Sequence, residues 1–465
     1  MKKILILLPL LLSFSLLPLN AGTSPQGRII LETPPTRGHV EPGLRILSTS
    51  GSHTYRGRSI SQVNVDSSGL NIIGDAANEP SLTFNPLAPN EVAVNWRQFD
   101  SITSDFREAG LGITTDGGET WTMTTLDNGK FRSDPVMRRS EKAGLWLYCS
   151  LNVSGGNYNV HFFKASEIGL NWSNPIYAYG SDKQWFTVDN WPNSIGYGNI
   201  YMSYSTLEGE NFTRSTTDAD SWMSPIAIPN GCVWGQLDVS RDGTLHLAGL
   251  ASPAYSSSSF RYARSSNAKY KDQTPTFDLL KNLNMGGTLE YGSNVNPIGL
   301  MGQVNISCDR TPTPGPKPIY VLCSVNPPDS DPCDVHIIRS LDNGSSWSSP
   351  VRVNSVRTGY QWLAAMDVAP NGRIDVVWYD TQNDPTNKKS QLYYSFSFNG
   401  GMNWAPAQAI TEPFDHTLGY PGGNQKMGDY IDIQSDYNDV HVAFTATFNL
   451  EQDVYYVRIR VPGRK

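Results

Sequence analysis

The chain has 465 residues, 17% charged side chains and a formal net charge of −7, with abundant Gly (41), Pro (31), Trp (12) and Tyr (22). Runs of Ala, Leu, Glu and Lys are scarce, which excludes an architecture of long amphipathic helices and favours short strands, turns and packed aromatics. Arg138-Arg139 is a pair and not a patch, so the basic footprint of a nucleic-acid-binding protein is missing.

In chain order, Met1 to about Ala21 reads as a secretory signal peptide. Lys2-Lys3 forms its positive end, Ile4 to Leu19 its apolar stretch and Asn20-Ala21-Gly22 its small residues near a cleavage point. The stretch is short for a membrane span, and no later segment is apolar enough to cross a bilayer. The expectation is an exported protein, secreted or periplasmic, with no membrane span and a charge of about −9 once the leader is removed. Residues 22–58 are rich in Gly, Pro, Ser and Thr and read as an extended N-terminal segment. Residues 59–465 read as a single domain, beginning with the alternating strand Ile60–Val65.

From Glu79 onward one design repeats: polar residues run into a short apolar strand. The copies are Glu79–Phe84, Arg132–Met137, Asp182–Asp189, Trp234–Val239, Met301–Ile306, Tyr360–Asp367 and Met427–Ile433. Their spacing of about 50 to 70 residues lies at the long end of the period of propeller blades. Each copy is the innermost strand of one blade, so the chain reads as all-β, a seven-bladed β-propeller with six blades as the alternative count. The last blade offers only three strands: Tyr430–Ile433, Val440–Phe444 and Val454–Ile459. The strand Ile60–Val65 would supply the fourth and close the ring.

A second element repeats in phase with the first. Thr114 to Trp121 and Ser340 to Trp347 share the pattern Ser/Thr-x-Asp-x-Gly-x-Ser/Thr-Trp, and Ser397 to Trp404 has Asn in the Asp place. Ala165 to Trp172 and Ser215 to Trp222 keep the Trp of a degraded copy. The chemistry is that of a hairpin turn. The Asp accepts bonds from turn amides, Gly takes a positive φ and Trp packs beneath the turn. These segments resemble the Asp-boxes, or BNR repeats, of the sialidase-like β-propellers. The resemblance implies a propeller fold over most of residues 79–460, with the boxes on outer turns remote from the ligand site. It also implies a carbohydrate ligand and a possible glycoside hydrolase. In that family three arginines hold a substrate carboxylate, an Asp serves as acid/base and a Tyr assisted by Glu as nucleophile. The Arg-Ile-Pro motif that carries the family's first arginine is not found here.

Where the inner strands begin, Glu79, Asp134, Lys183, Gln184, Gln236, Gln303, Gln361 and Asp429 should ring one mouth of the channel. Such groups bind sugar hydroxyls or cap strand starts. Asp134 and Glu79 are the candidate acid/base groups. Arg97, Arg107 and Arg132 would clamp an anionic group, unless they pair within their own loops. Tyr430 joins the candidate binding residues, and Trp96, Trp185, Trp191, Trp234 and Trp362 either stack on sugars or pack between blades. No zinc spacing or HExxH motif is present, so no metal or cofactor is expected. The five cysteines read as structural or incidental, with Cys308 and Cys323 the best candidate pair. The reading is a monomeric propeller that binds or hydrolyses an extracellular glycan at the channel mouth; the alternative is a non-catalytic propeller for adhesion or protein contact.

Overall fold

A computed structural model describes residues 51–461 apart from 170, 207–208, 252–256, 313–314 and 316. The expected signal peptide, and residues 22–50 of the expected extended segment, lie outside the described residues. The remainder is all-β, with seven antiparallel sheets following one another along the chain as a seven-bladed propeller and no helix among the described residues. The count is seven and not six.

The innermost strands are Ala76–Asn85, Ser133–Ser140, Trp185–Val188, Gly231–Val239, Asn305–Cys308, Gln361–Val368 and Asp432–Ser435. Each overlaps or directly continues one of the repeated sequence phrases. Blade 3 is the least regular: it has three strands, and its fourth position holds only the isolated bridge Phe212–Ile226.

Closure of the ring follows the expectation and adds to it. Arg58–Gln62 pairs antiparallel with the last strand, Asp453–Arg460, placing Ile60 opposite Val457. His53–Tyr55 then pairs on the outside of Arg58–Gln62, making a five-stranded sheet. The extended segment therefore already contains a strand. Val63, Trp96, Trp121 and Tyr456 pack in one apolar cluster between the last blade and the first. This covers the edge that an open ring would expose.

Every repeated phrase carries a residue of positive φ at the same point, within or just before its inner strand: Glu79 (55°), Asp134 (47°), Lys183 (56°), Trp234 (55°), Gly302 (152°), Leu363 (50°) and Gly428 (113°). In blades 1, 2, 4 and 6 the ladder slips at this point as a β-bulge. Bulges bend a strand and re-aim its side chains. At Gly428 a side chain would also lie 2.7 Å from Glu79 Cγ, so glycine is needed for space as well as for φ.

The repeated turns join third to fourth strands. Asp116 Oδ1 accepts the amides of Glu119 (2.9 Å) and Thr120 (3.0 Å), and Asp342 Oδ1 accepts that of Ser346 (2.8 Å). Asn399 accepts Asn403 N at 3.0 Å in the third copy. Their tryptophans pack between sheets: Trp121 on Tyr456, Trp347 on Tyr262 and, in a degraded copy, Trp222 on Phe162. In a meander the third strand ends on the same face as the first, so these turns share a face with the ends of the inner strands.

Cys308 and Cys323 do not pair, and all five cysteines are free and buried. Cys308 stands opposite Ile319, which is four positions along the strand from Cys323. That is about 13 Å, roughly twice the Cα separation a disulfide tolerates.

Candidate functional site at the two ends of the channel

The starts of the inner strands bring most of the sequence-derived candidates together, but inside a closed lattice of charges. Glu79 Oε2 lies 3.2 Å from Arg97 Nε, and Glu79 Oε1 lies 3.0 Å from Lys426 Nζ. Lys426 Nζ also meets Asp429 Oδ2 at 2.7 Å. Lys183 Nζ lies 2.7 Å from Asp429 Oδ2, 3.7 Å from Asp182 and 3.9 Å from Asp134. Backbone amides complete the set: Lys183 N donates to Asp134 Oδ2 (2.9 Å) and Asp429 N to Glu79 Oε1 (3.0 Å). All these groups are buried.

Burial pushes Glu79 up to about 7, against the pull of Arg97 and Lys426. Burial acts in the same direction on Asp134 and Asp429, but the lysines outweigh it and hold both well below the usual carboxylate range. Lys183 and Lys426 are in turn held above the ordinary lysine value: burial disfavours their charge, and the surrounding carboxylates outweigh it.

The connections from blade 4 to 5 and from blade 6 to 7 meet above these groups. Asn296 Nδ2 donates to Gly428 O (2.8 Å), Met427 N donates to Asn296 Oδ1 (3.0 Å) and Leu300 N donates to Asp429 Oδ1 (2.8 Å). The expected open rim at this end is a sealed one, because cations are interleaved with its carboxylates and two long connections cover it.

The other candidates lie around this lattice or away from it. Gln184 Nε2 donates to Asp134 O, and Tyr430 Oη donates to Pro135 O at 2.8 Å. Arg107 reaches Ser133 Oγ (3.3 Å), which donates to Asp134 Oδ1 (3.0 Å). Arg132 pairs with Asp127 and contacts His161 Nδ1 at 3.0 Å. Arg97 and Arg107 both face the ring of Phe99, at 5.5 and 5.9 Å from its centre, whereas Arg132 turns to Asp127 and the ring of Phe163. Gln361 bonds Asp380 and Asn354 within blade 6. Gln303 is buried, and its Oε1 has no hydrogen-bond partner among the described residues. Sequence reasoning passed over Lys426, Asp182 and Asn296. The spacing Lys426-x-x-Asp429 in a glycine-rich connection was the available signal for the first of these.

The opposite end of the channel, at the ends of the inner strands, is open. A cavity of about 570 Å³ is lined by residues of all seven blades and reaches Tyr437 at the surface. Four positions beyond the positive-φ residue, the inner strands present Thr83, Arg138, Thr187, Asp238, Ile306, Asp367 and Asp432, and all seven line the cavity. Arg138 Nη1 bonds Asp432 Oδ2 (2.8 Å), and Arg310 Nη2 lies 3.2 Å from Asp367 Oδ1. Burial raises Asp367 to about 6, countered by Arg310. Arg241 bonds Pro312 O and makes no ion pair among the described residues. Trp191 is half-buried on the wall, its Nε1 donating to Val239 O at 2.7 Å. Of the candidates, Gln236 lines this cavity, and Trp185 stands behind Arg138 with 5.3 Å between guanidinium carbon and ring centre. Trp96 packs between the last blade and the first, Trp234 stacks on Tyr291 in the connection to blade 5, and Trp362 stands against Tyr379 of its own blade and His416.

The fold and this cavity define the class: a seven-bladed β-propeller whose channel is sealed at one end and open at the other. No family model matches the chain, and no curated protein does. Among solved structures it is similar to a protein of unknown function from Dyadobacter fermentans, at 13% identity over 84% of this chain and 99% of that one, with a TM-score of 0.49. It is also similar to a sialidase from Streptococcus pneumoniae (14%, 90% and 70%, TM-score 0.41) and to the α-L-arabinofuranosidase of Fusarium graminearum (10%, 83% and 93%, TM-score 0.42). At these values the likeness assigns no activity, substrate or family.

Proposed function

We propose that this is an exported, glycan-directed propeller with sialidase-like Asp-box turns, and that it binds carbohydrate in the open cavity at the ends of its inner strands, on the face that carries those turns and not on the far face that the resemblance implied. The observation that carries the reading is the cavity itself. Its volume of about 570 Å³ falls in the range of small-ligand sites, and its wall sets many polar and charged groups from several blades beside aromatic surface. Carboxylates, guanidinium groups and Gln236 match sugar hydroxyls as acceptors and donors, and Trp191 offers a ring face for stacking. Binding is favoured over hydrolysis because the candidate acid/base pair, Glu79 and Asp134, is locked in buried ion pairs away from this cavity.

A glycan-array screen with Trp191→Ala, Arg241→Ala and Glu79→Gln tests the reading. Binding abolished by the first two substitutions and kept by the third supports it. Binding that survives both cavity substitutions refutes it. The alternative of protein contact has its own observation: Leu87 (90% exposed) and Ile195 (71% exposed) stand on inner turns of the same face. Under that alternative no glycan binds, and a protein partner is lost with Leu87→Ser.

A further inference from the structure

Where the ring closes, three carboxylates are buried together: Asp75, which leads into blade 1, and Glu451 and Asp453, which lead into the last strand. Amides hold them, and not cations. Asn64 Nδ2 donates to both Asp75 Oδ2 (3.2 Å) and Asp453 Oδ1 (2.6 Å). Gln98 Nε2 donates to Asp75 Oδ2 (2.8 Å), and Asn449 Nδ2 to Asp453 Oδ2 (2.5 Å). Asn71 Nδ2 and Gly74 N donate to Glu451, at 3.0 and 2.8 Å. Among the described residues no Lys or Arg pairs with any of the three. Asp75 Oδ1 is buried with no hydrogen-bond partner. The other titratable groups nearby are the buried Tyr455 phenol and Glu412, which lies 2.8 Å from His53 Nε2 on the outermost strand.

This cluster is also the fastening of the closing strand. Asn64 Oδ1 accepts Val454 N (2.9 Å), and Val63 N donates to Val454 O (2.8 Å). Gln62 Nε2 donates to Asn71 Oδ1 (2.5 Å), and Gln62 Oε1 accepts Gly51 N (3.0 Å). Two carboxylates that share one amide donor, without a cation, cannot both ionise in a dry site without strong repulsion.

We propose that Asp75 and Asp453 form a proton-dependent latch, which fastens the N-terminal strand to the last blade while the pair holds a proton and loosens it when the proton is lost. The pair shares that proton, and Asp75 Oδ1 is left bare of any other donor. Burial and the charge of Asp453 raise Asp75 well above its ordinary value, and burial raises Asp453 to about 7. A carboxyl raised in the folded state binds protons more tightly there than in the opened state. Its contribution is full below the ordinary carboxylate value and is lost as pH rises through the folded one. Asp453 sets the upper end, so the window runs from about pH 4 to about pH 7, and the latch is weaker on the alkaline side.

Hydrogen exchange of the full chain tests this, read as protection factors so that the intrinsic pH dependence of exchange is removed. Amides of Arg58–Gln62 and Asp453–Arg460 should lose protection by roughly tenfold per pH unit between pH 5 and 7 and then level off, as one linked proton requires. Inner strands of blades 2 to 5 should show no such slope. Asp75→Asn places an amide nitrogen where the proton sits and should flatten the dependence; if that variant does not fold, Asp453→Asn carries the same test. A flat wild-type profile, a slope shared equally by all blades, or a slope unchanged in the variant overturns the proposal.

Discussion

Lys183 Nζ stands 2.7 Å from Asp429 Oδ2, which ties the start of blade 3 to the start of blade 7 inside the ring. Both side chains are buried, and Asp134 and Asp182 also face this lysine. Removing one partner of a buried pair leaves an uncompensated charge. Lys183→Met should therefore cost about 3–5 kcal/mol in urea denaturation. A loss below about 1 kcal/mol would mean that water reaches the lattice.

The lattice also predicts a contrast between two carboxylates. Asp429 is held below its ordinary value, so it stabilises the fold above that value and loses this contribution as pH falls. Glu79, raised to about 7, works in the opposite direction and loses stabilisation as pH rises through 7. At pH 7, where Glu79 is about half ionised, Glu79→Gln should lower the melting temperature less than Asp429→Asn does. Equal effects from the two substitutions would contradict this assignment of charge.

Deletion of residues 59–66 removes the strand that covers Asp453–Arg460 and takes Val63 out of its cluster with Trp96. The shortened protein should melt earlier and associate through its exposed edge, seen as a larger species in size-exclusion chromatography. Unchanged melting would show that the ring does not depend on this closure.

Asp116 gathers two turn amides and the Thr120 hydroxyl (2.6 Å). Asp116→Ala should cost about 1–2 kcal/mol, a modest figure because the turn is partly solvated. Glycan binding should be unaffected, since the side chain does not line the cavity.

All five thiols are buried and unpaired, and burial raises Cys149, Cys232 and Cys323 to well above an ordinary thiol. A thiol reagent should find no reactive cysteine in the native protein and five after denaturation. A reducing agent should leave the melting temperature unchanged.

Much of the fold was legible in the sequence. The inner strands each open with polar residues and run into apolar ones, so the repeat announces itself despite little identity between copies. The Asp-Gly-Trp turns mark the outer hairpins for the same reason, because a turn needs particular residues at particular places. The channel ends were less legible. Polar residues at the strand starts look alike whether they face water or one another, and Lys426, which neutralises Glu79 and Asp429, lies outside the repeated phrase. The open end was readable only by counting four positions onward in each strand to Arg138, Asp238, Asp367 and Asp432. Those residues are separated by whole blades, and only closure of the ring makes them neighbours.

The most direct measurement is calorimetric titration of the full chain with a glycan selected on the array, alongside Trp191→Ala and Glu79→Gln. A site in the open cavity predicts one ligand per chain, binding lost in Trp191→Ala and binding retained in Glu79→Gln. Retention by Trp191→Ala together with loss in a folded Glu79→Gln would place the ligand at the opposite end of the channel and contradict the account.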